Sequence, residues 1–319
     1  MLSEKDKPDE RQFVSLRKGG VIRIINLPEA RGKRCLETLG WLVTISEDGD
    51  MNLLHPFTRV QISLPHVTTF QYYHRKWITN HLSFVHKAVL SSHPEKSDDY
   101  VLVVIYGRCR FLAFWRPGAM SWAKVYAGTN SFYDIIFHKG LFYGVVSTGR
   151  VLAFDVWGPV AWPVLELPSR YIFQVKQPFI VESAGEILIV IQDASLPDFC
   201  DDDYFVYDDR DTSRVGDRIC GFKVFKAFLS EEMWVEITSL GDNALLLGDN
   251  ASISIDASKF PGIKANCIYY TEDSWEFYER GEVKDACIYY LEDGSRSSCY
   301  EGESFNSSCP PMWINPPSF

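Results

Sequence analysis

The densest set of side chains able to do chemistry is a run of carboxylates: Asp198, Asp201, Asp202, Asp203, Asp208, Asp209 and Asp211. Hard oxygen ligands of this kind suit Ca²⁺ or Mg²⁺, but the spacing is not that of an EF-hand loop. Like charges this close repel, so residues 198–214 are expected to form a long, exposed and mobile insertion rather than a cation site. His74, His81 and His86 lie five to seven residues apart, with no His-Glu-x-x-His pattern and no paired cysteines to complete a zinc site. A structural role is expected for them. No Gly-x-Ser-x-Gly elbow and no Gly-x-x-x-x-Gly-Lys phosphate loop occurs. The sequence therefore nominates no catalytic residue, no cofactor-binding residue and no metal ligand.

Cys35, Cys109, Cys200, Cys220, Cys267, Cys287, Cys299 and Cys309 form no Cys-x-x-Cys pair. Most stand inside apolar, strand-like runs, as Cys109 and Cys267 do, and reduced, buried thiols are expected. The start of the chain is polar, without the apolar stretch of a signal peptide, and no run approaches the roughly 18 apolar residues of a spanning helix. A cytoplasmic or nuclear protein that contacts no membrane is expected. Residues 1–150 carry a net charge of +7 and the remainder −17. The overall acidity argues against a nucleic-acid groove, and the asymmetry would steer a charged partner.

The elements that must position any site are hairpins. Phe13–Leu16 turns at Lys18-Gly19-Gly20 into Val21–Ile25, Trp41–Ile45 turns at Asp48-Gly49 into Met51–Leu54, and Leu141–Val146 turns at Thr148-Gly149 into Val151–Phe154. Glycine supplies the positive φ of tight hairpin turns, and the β-branched and aromatic flanks suit a pleated sheet. Such units recur roughly every 30 to 45 residues, the signature of a β-propeller. Four strands are expected in 85–127, four in 131–168, four in 171–240 and four from Ala244 to Leu291. Cys-Ile-Tyr-Tyr-x-Glu-Asp occurs at both 267–273 and 287–293, as two strands of one blade would. Helical turns are expected only near Lys223–Phe228 and Ala257–Phe260. Trp41 and Trp275 are expected to be buried.

The reading is all-β: a single propeller of four-stranded antiparallel blades over residues 13–319, after a polar lead-in of residues 1–12. Six blades are expected, with seven the alternative. The short first hairpin would be completed by chain near Met312-Trp313-Ile314-Asn315, so that both ends share one sheet and no edge is left open.

Several stretches resemble the plant F-box-associated propeller domain of the KIB type. Leu240-Gly241-Asp242 and Leu245–Gly248 lead to the serine-bearing run Ser252-Ile253-Ser254-Ile255. Pro261-Gly262-Ile263-Lys264-Ala265-Asn266-Cys267-Ile268-Tyr269-Tyr270 follows, with Thr271–Trp275 as an acidic, tryptophan-bearing end. The run from Leu27-Pro28 to Gly40-Trp41-Leu42, then Asn52–Phe57, Leu291–Ser295 and Pro310–Trp313, is similar to the family too. The resemblance implies a target-capturing propeller that follows an F-box, the helical segment that docks on the adaptor of a cullin–RING ubiquitin ligase. No helical segment precedes the first hairpin here, so direct association with the adaptor is not expected.

The function expected is a non-enzymatic protein-interaction module that holds a protein target of unknown identity, as a monomer, with no cofactor. The alternative is a propeller enzyme, a hydrolase or lyase, with its site at the central channel.

Overall fold

The computed structural model describes residues 1, 9–16, 22–74, 78, 80–167, 175–193, 221–248, 250–271, 287–298 and 311–315. Apolar runs separated by glycine turns become antiparallel hairpins. At the turn after Asp48, Gly49 has φ of 93°, and an added Cβ would lie 2.5 Å from Val67 Cγ2, so both conformation and space require glycine.

The first hairpin, β1 (Glu10–Val14) and β2 (Ile22–Asn26), forms a two-stranded sheet of its own. Five larger blades follow. Blade 1 holds β3 (Arg34–Thr38), β4 (Trp41–Ile45), β5 (Met51–Leu54) and β6 (Gln61–Leu64). Blade 2 holds β7 (Val85–Leu90), β8 (Leu102–Tyr106), β9 (Phe111–Trp115) and the short β10 (Ala123–Lys124). Blade 3 holds β11 (Phe132–His138), β12 (Leu141–Val146), β13 (Arg150–Phe154) and β14 (Trp162–Glu166). Blade 4 holds β15 (Val175–Ser183), β16 (Glu186–Asp193), β17 (Gly221–Phe228) and β18 (Met233–Ile237). Blade 5 holds β19 (Asn243–Leu247), β20 (Ser252–Asp256), β21 (Cys267–Tyr270), β22 (Cys287–Tyr290) and β23 (Arg296–Ser298).

Four blades are plain antiparallel meanders; the fifth is not. Its order is β20-β19-β21-β22-β23, with β19 and β21 parallel. The inversion puts β20, rather than β19, beside the inner strand β15 of blade 4. The two Cys-Ile-Tyr-Tyr runs are β21 and β22, antiparallel neighbours with Cys267 opposite Tyr290.

The middle strands are buried on both faces, which is why they read as unbroken apolar runs. Along β8, Leu102, Val104 and Tyr106 pack toward blade 1 with Trp41 and Val43, while Val103 and Ile105 pack toward blade 3 with Ile135 and Phe142. Blade 3 meets blade 4 through Val145, Val151, Ile189 and Phe225; blade 4 meets blade 5 through Phe179, Val190, Leu245 and Ile268. The period of two thus sends each strand into two interfaces at once.

Among the described residues, the expected six blades are corrected to five. The first hairpin has no further partner strand among the described residues and instead fills the seam between blades 1 and 5. Phe13 packs with Leu27, Cys35 and Leu54, while Leu16 packs with Leu246 and Tyr269 of blade 5. The chain near Met312 enters the same seam without forming a strand. Met1 and Met312 exchange backbone hydrogen bonds of 2.7 and 2.9 Å, and Trp313 Nε1 donates to the Leu247 carbonyl at 3.0 Å. The described ends do meet, as wedge rather than as shared blade.

Lys223–Phe228, expected as a helical turn, lies in β17, because both of its faces are claimed by neighbouring blades. Ala257–Lys259 is a single 3-10 turn, with Asp256 accepting from the Ser258 amide. Cys109 is exposed at the turn between β8 and β9, not inside a strand, whereas Cys35 and Cys267 are buried. The acidic run 198–214 and Trp275 lie outside the described residues.

Trp41 is 2% exposed and meets the edge of the His55 ring at a centroid separation of 5.1 Å. Replacing it with alanine should cost about 3–5 kcal/mol in a urea titration, the usual result of emptying a large aromatic site. A loss below about 1 kcal/mol would show that the packing between blades 1 and 2 does not rely on this ring.

Candidate functional site

A propeller's channel is where side chains from all blades converge. Here each inner strand contributes one polar group or more. The centre is Asp134 on β11, 1% exposed. Its Oδ1 accepts from its own neighbour's amide, Ile135 N, at 2.8 Å and pairs with Lys87 Nζ of blade 2 at 2.5 Å. Its Oδ2 accepts from Ile180 N of blade 4 at 3.0 Å and from Ser252 Oγ of blade 5 at 2.5 Å. Lys87 Nζ also donates to Ser252 Oγ at 2.9 Å, closing a triangle across the channel. A buried carboxylate and ammonium lose much hydration, and the charge-assisted bonds here offset that loss.

The remaining junctions are bridged in the same way. Thr38 Oγ1 accepts from Leu90 N at 2.7 Å, joining blades 1 and 2. The Ser183 and Ser254 hydroxyls share a hydrogen bond of 2.8 Å between blades 4 and 5. Asn250 Oδ1 accepts from Glu37 N at 3.3 Å, joining blade 5 to blade 1. Glu37 Oε1 then accepts from Gly40 N at 2.9 Å and from Asn315 N at 3.3 Å, which ties the C-terminal segment to blade 1.

Of these groups, Glu37, Thr38, Lys87, Asn250, Ser252 and Ser254 line a cavity of about 240 Å³. Its walls come from the C-terminal halves of β3, β7 and β11, from Glu182 near the end of β15, and from the 250–254 run that leads into β20. Burial raises the Glu37 pKa to about 7, against the opposing pull of the Gly40 and Asn315 amides and the Lys87 charge. Glu37 is therefore a carboxyl group with an ionisation near neutrality, beside a cavity.

The histidines singled out in the sequence go to separate partners. His74 is exposed. His81 Nδ1 donates to the Glu47 carbonyl at 2.7 Å, which leaves Nε2 to accept from the Tyr73 hydroxyl at 2.8 Å. His86 Nε2 donates to the Gly107 carbonyl at 3.0 Å. Among the described residues, no group of three His, Cys, Asp or Glu side chains is arranged to hold a metal ion.

Sequence reasoning missed Asp134, Lys87 and Glu37, which are isolated charges inside apolar strands. That is also the signal by which they are findable: a charge in a doubly buried strand needs partners. The serine-bearing run was noticed, but not its role. Asn250, Ser252 and Ser254 fall at alternate positions and reach Glu37, Asp134, Lys87 and Ser183.

The family model described as KIB1-4 beta-propeller matches residues 13–290. The chain belongs to that family. Among its relatives, F-box protein SKIP23 of Arabidopsis thaliana is 25% identical over 279 residues, covering 79% of this chain and 67% of that protein. F-box protein At4g35733 of Arabidopsis thaliana is 26% identical over 292 residues, covering 89% of this chain and 74% of that one. The chain spans between 37% and 74% of the length of the curated relatives it matches. The solved structure of apo AztD from Citrobacter koseri aligns with a TM-score of 0.40 at 9% identity, over 68% of this chain and 52% of that chain, too distant to carry an argument.

Outside the channel, this KIB1-4 propeller exposes large apolar side chains along the outer edges of blades 2 and 3. Met120 is 88% exposed, Trp157 76%, Val160 59% and Tyr126 54%. Exposed apolar side chains gathered along one edge, unlike ones scattered singly, mark contact surfaces.

The Glu37 carboxyl fixes the sign of a pH effect. The folded chain keeps its proton up to about pH 7, whereas the unfolded chain releases it near the ordinary value of 4.5. The folded state binds more protons between these values, so stability falls as pH rises through that window. Glu37→Gln keeps the acceptor for both amides and removes the titration. The variant should be more stable than the parent at pH 8 by about 3 kcal/mol, each tenfold in proton affinity being worth about 1.4 kcal/mol, with the difference vanishing near pH 4. Parallel stability curves from pH 4 to 8 would refute the assignment.

Proposed function

We propose that the chain is a non-enzymatic interaction module that holds a protein target, as the target-recognition propeller of a ubiquitin-ligase receptor does. The observation that carries the reading is membership of a propeller family whose matched relatives are F-box proteins. Two features of the structure support it. Asp134, Lys87, Ser252, Ser183 and Asn250 are engaged in bonds between blades, so the inner ring acts as frame. The exposed apolar groups lie at the periphery, where a second macromolecule can reach them. Location in the cytoplasm or nucleus and a monomeric state belong to the same reading.

The test is recovery of a target. Tagged chain taken from proteasome-inhibited plant extract should retain a specific protein that, once purified, rebinds the purified chain with one-to-one stoichiometry. Absence of any protein that rebinds in purified form would overturn the reading.

A further inference from the structure

Several of the exposed groups, Tyr72, Tyr126, Val160 and Trp157, follow one another in a stripe along the adjoining edges of blades 2 and 3, with two cations against their rings. At one end, Lys124 Nζ lies 4.5 Å from the Tyr72 ring centroid and donates to the Tyr72 hydroxyl at 2.6 Å. The same ammonium is 5.1 Å from the Tyr126 ring. Tyr126 continues the stripe into the turn between β13 and β14. Its amide donates to the Pro159 carbonyl at 2.7 Å, its carbonyl accepts from Ala161 N at 2.8 Å, and it forms a bridge with Val160. At the other end of that turn stands Trp157, with the Arg116 guanidinium 3.8 Å from its ring centroid. Arg116 Nη2 is fixed by the Val156 carbonyl at 2.7 Å.

The turn itself is rigidly built. Asp155 Oδ1 accepts from Trp157 N at 2.8 Å and from Gly158 N at 2.6 Å, so this carboxylate's near oxygen is committed to the turn. The stripe is thus preorganised, which lowers the ordering cost of binding.

Charge says what it would bind. Among the described residues, no carboxylate forms an ion pair with Lys124 or Arg116. Their partners are aromatic faces, which attract a cation without neutralising it. Four of the stripe's residues, Tyr72, Arg116, Lys124 and Tyr126, come from the part of the chain whose net charge is +7, and both of its cations are among them. Two cations alternating with tyrosine, valine and tryptophan match carboxylates that alternate with apolar side chains. Nucleic acid fits less well, because phosphate binding needs a larger cluster of Lys and Arg than these two.

We propose that the stripe Tyr72–Lys124–Tyr126–Val160–Trp157–Arg116 docks an acidic polypeptide segment with apolar anchors. The proposal rests on the target-binding reading above and locates its surface.

The test uses the full chain and fluorescein-labelled twelve-residue peptides in which aspartate alternates with leucine, with phenylalanine or with serine. Fluorescence anisotropy should show saturable binding of the leucine or phenylalanine peptide, with the serine peptide weaker. The double variant Arg116→Glu/Lys124→Glu should weaken binding at least about tenfold, and raising salt should weaken it in the parent. Trp157→Ala, an exposed change that leaves the cations in place, should weaken binding by a smaller factor without lowering the melting temperature. Equal binding by the charge-reversed variant, tighter binding of a lysine–leucine peptide or of a single-stranded oligonucleotide, or no saturable binding would each overturn the proposal. A target captured equally well by the charge-reversed variant would sink this surface while leaving target binding intact; failure to capture any target would sink the broader reading instead.

Discussion

The structure depends on one buried carboxylate. Asp134 accepts from four donors belonging to blades 2, 3, 4 and 5. A propeller blade has no sequence-local reason to choose its angle to the next blade, since apolar packing between sheets is non-directional. Hydrogen bonds are directional, and a charge held away from water is costly unless every partner is in place. The requirement that Lys87, Ile180 N and Ser252 all reach Asp134 fixes four inner strands at once.

Blade 1 is joined by other means. Thr38 meets the Leu90 amide and Asn250 meets the Glu37 amide, while the seam on its far side is filled by the first hairpin and by Met312 and Trp313. Closing a ring by a wedge rather than by a shared blade leaves Glu37 deep in that seam, facing the backbone of Asn315. Its displaced ionisation follows from this position: the carboxyl is desolvated by closure, and the two amides, the Lys87 ammonium and the Met1 amino group do not outweigh that effect. The inverted fifth blade belongs to the same solution, because only with β20 innermost do Ser252 and Ser254 face the channel.

The strands were largely legible. Trp41–Ile45, Met51–Leu54 and Leu141–Val146 begin and end in the structure where the glycine turns and apolar runs place them. Blade number was not, because a hairpin reads alike whether it builds a blade or plugs a seam; Phe13 and Leu16 have the same alternation in either role. Lys223–Phe228 failed for a related reason. A strand buried on both faces loses the alternation that separates strand from helix. The hub was hidden because the bonds among Lys87, Asp134, Ile180 and Ser252 span distances in sequence that no local pattern encodes. The stripe was hidden too, since Lys124, Tyr126 and Trp157 are unremarkable until β10 and the turn after β13 bring them together.

A fixed ring and a peripheral contact surface fit together as a scaffold that presents outer edges while its centre stays still. That account is tested most directly at Asp134. Urea unfolding of the Asp134→Ala variant, followed by tryptophan fluorescence and by far-ultraviolet circular dichroism, should show a loss of about 3–5 kcal/mol, because Lys87 is left buried without its counter-charge. A variant that loses less than about 1 kcal/mol and melts like the parent would mean that the blades are set by packing alone, and the hub would not be the element on which the ring depends.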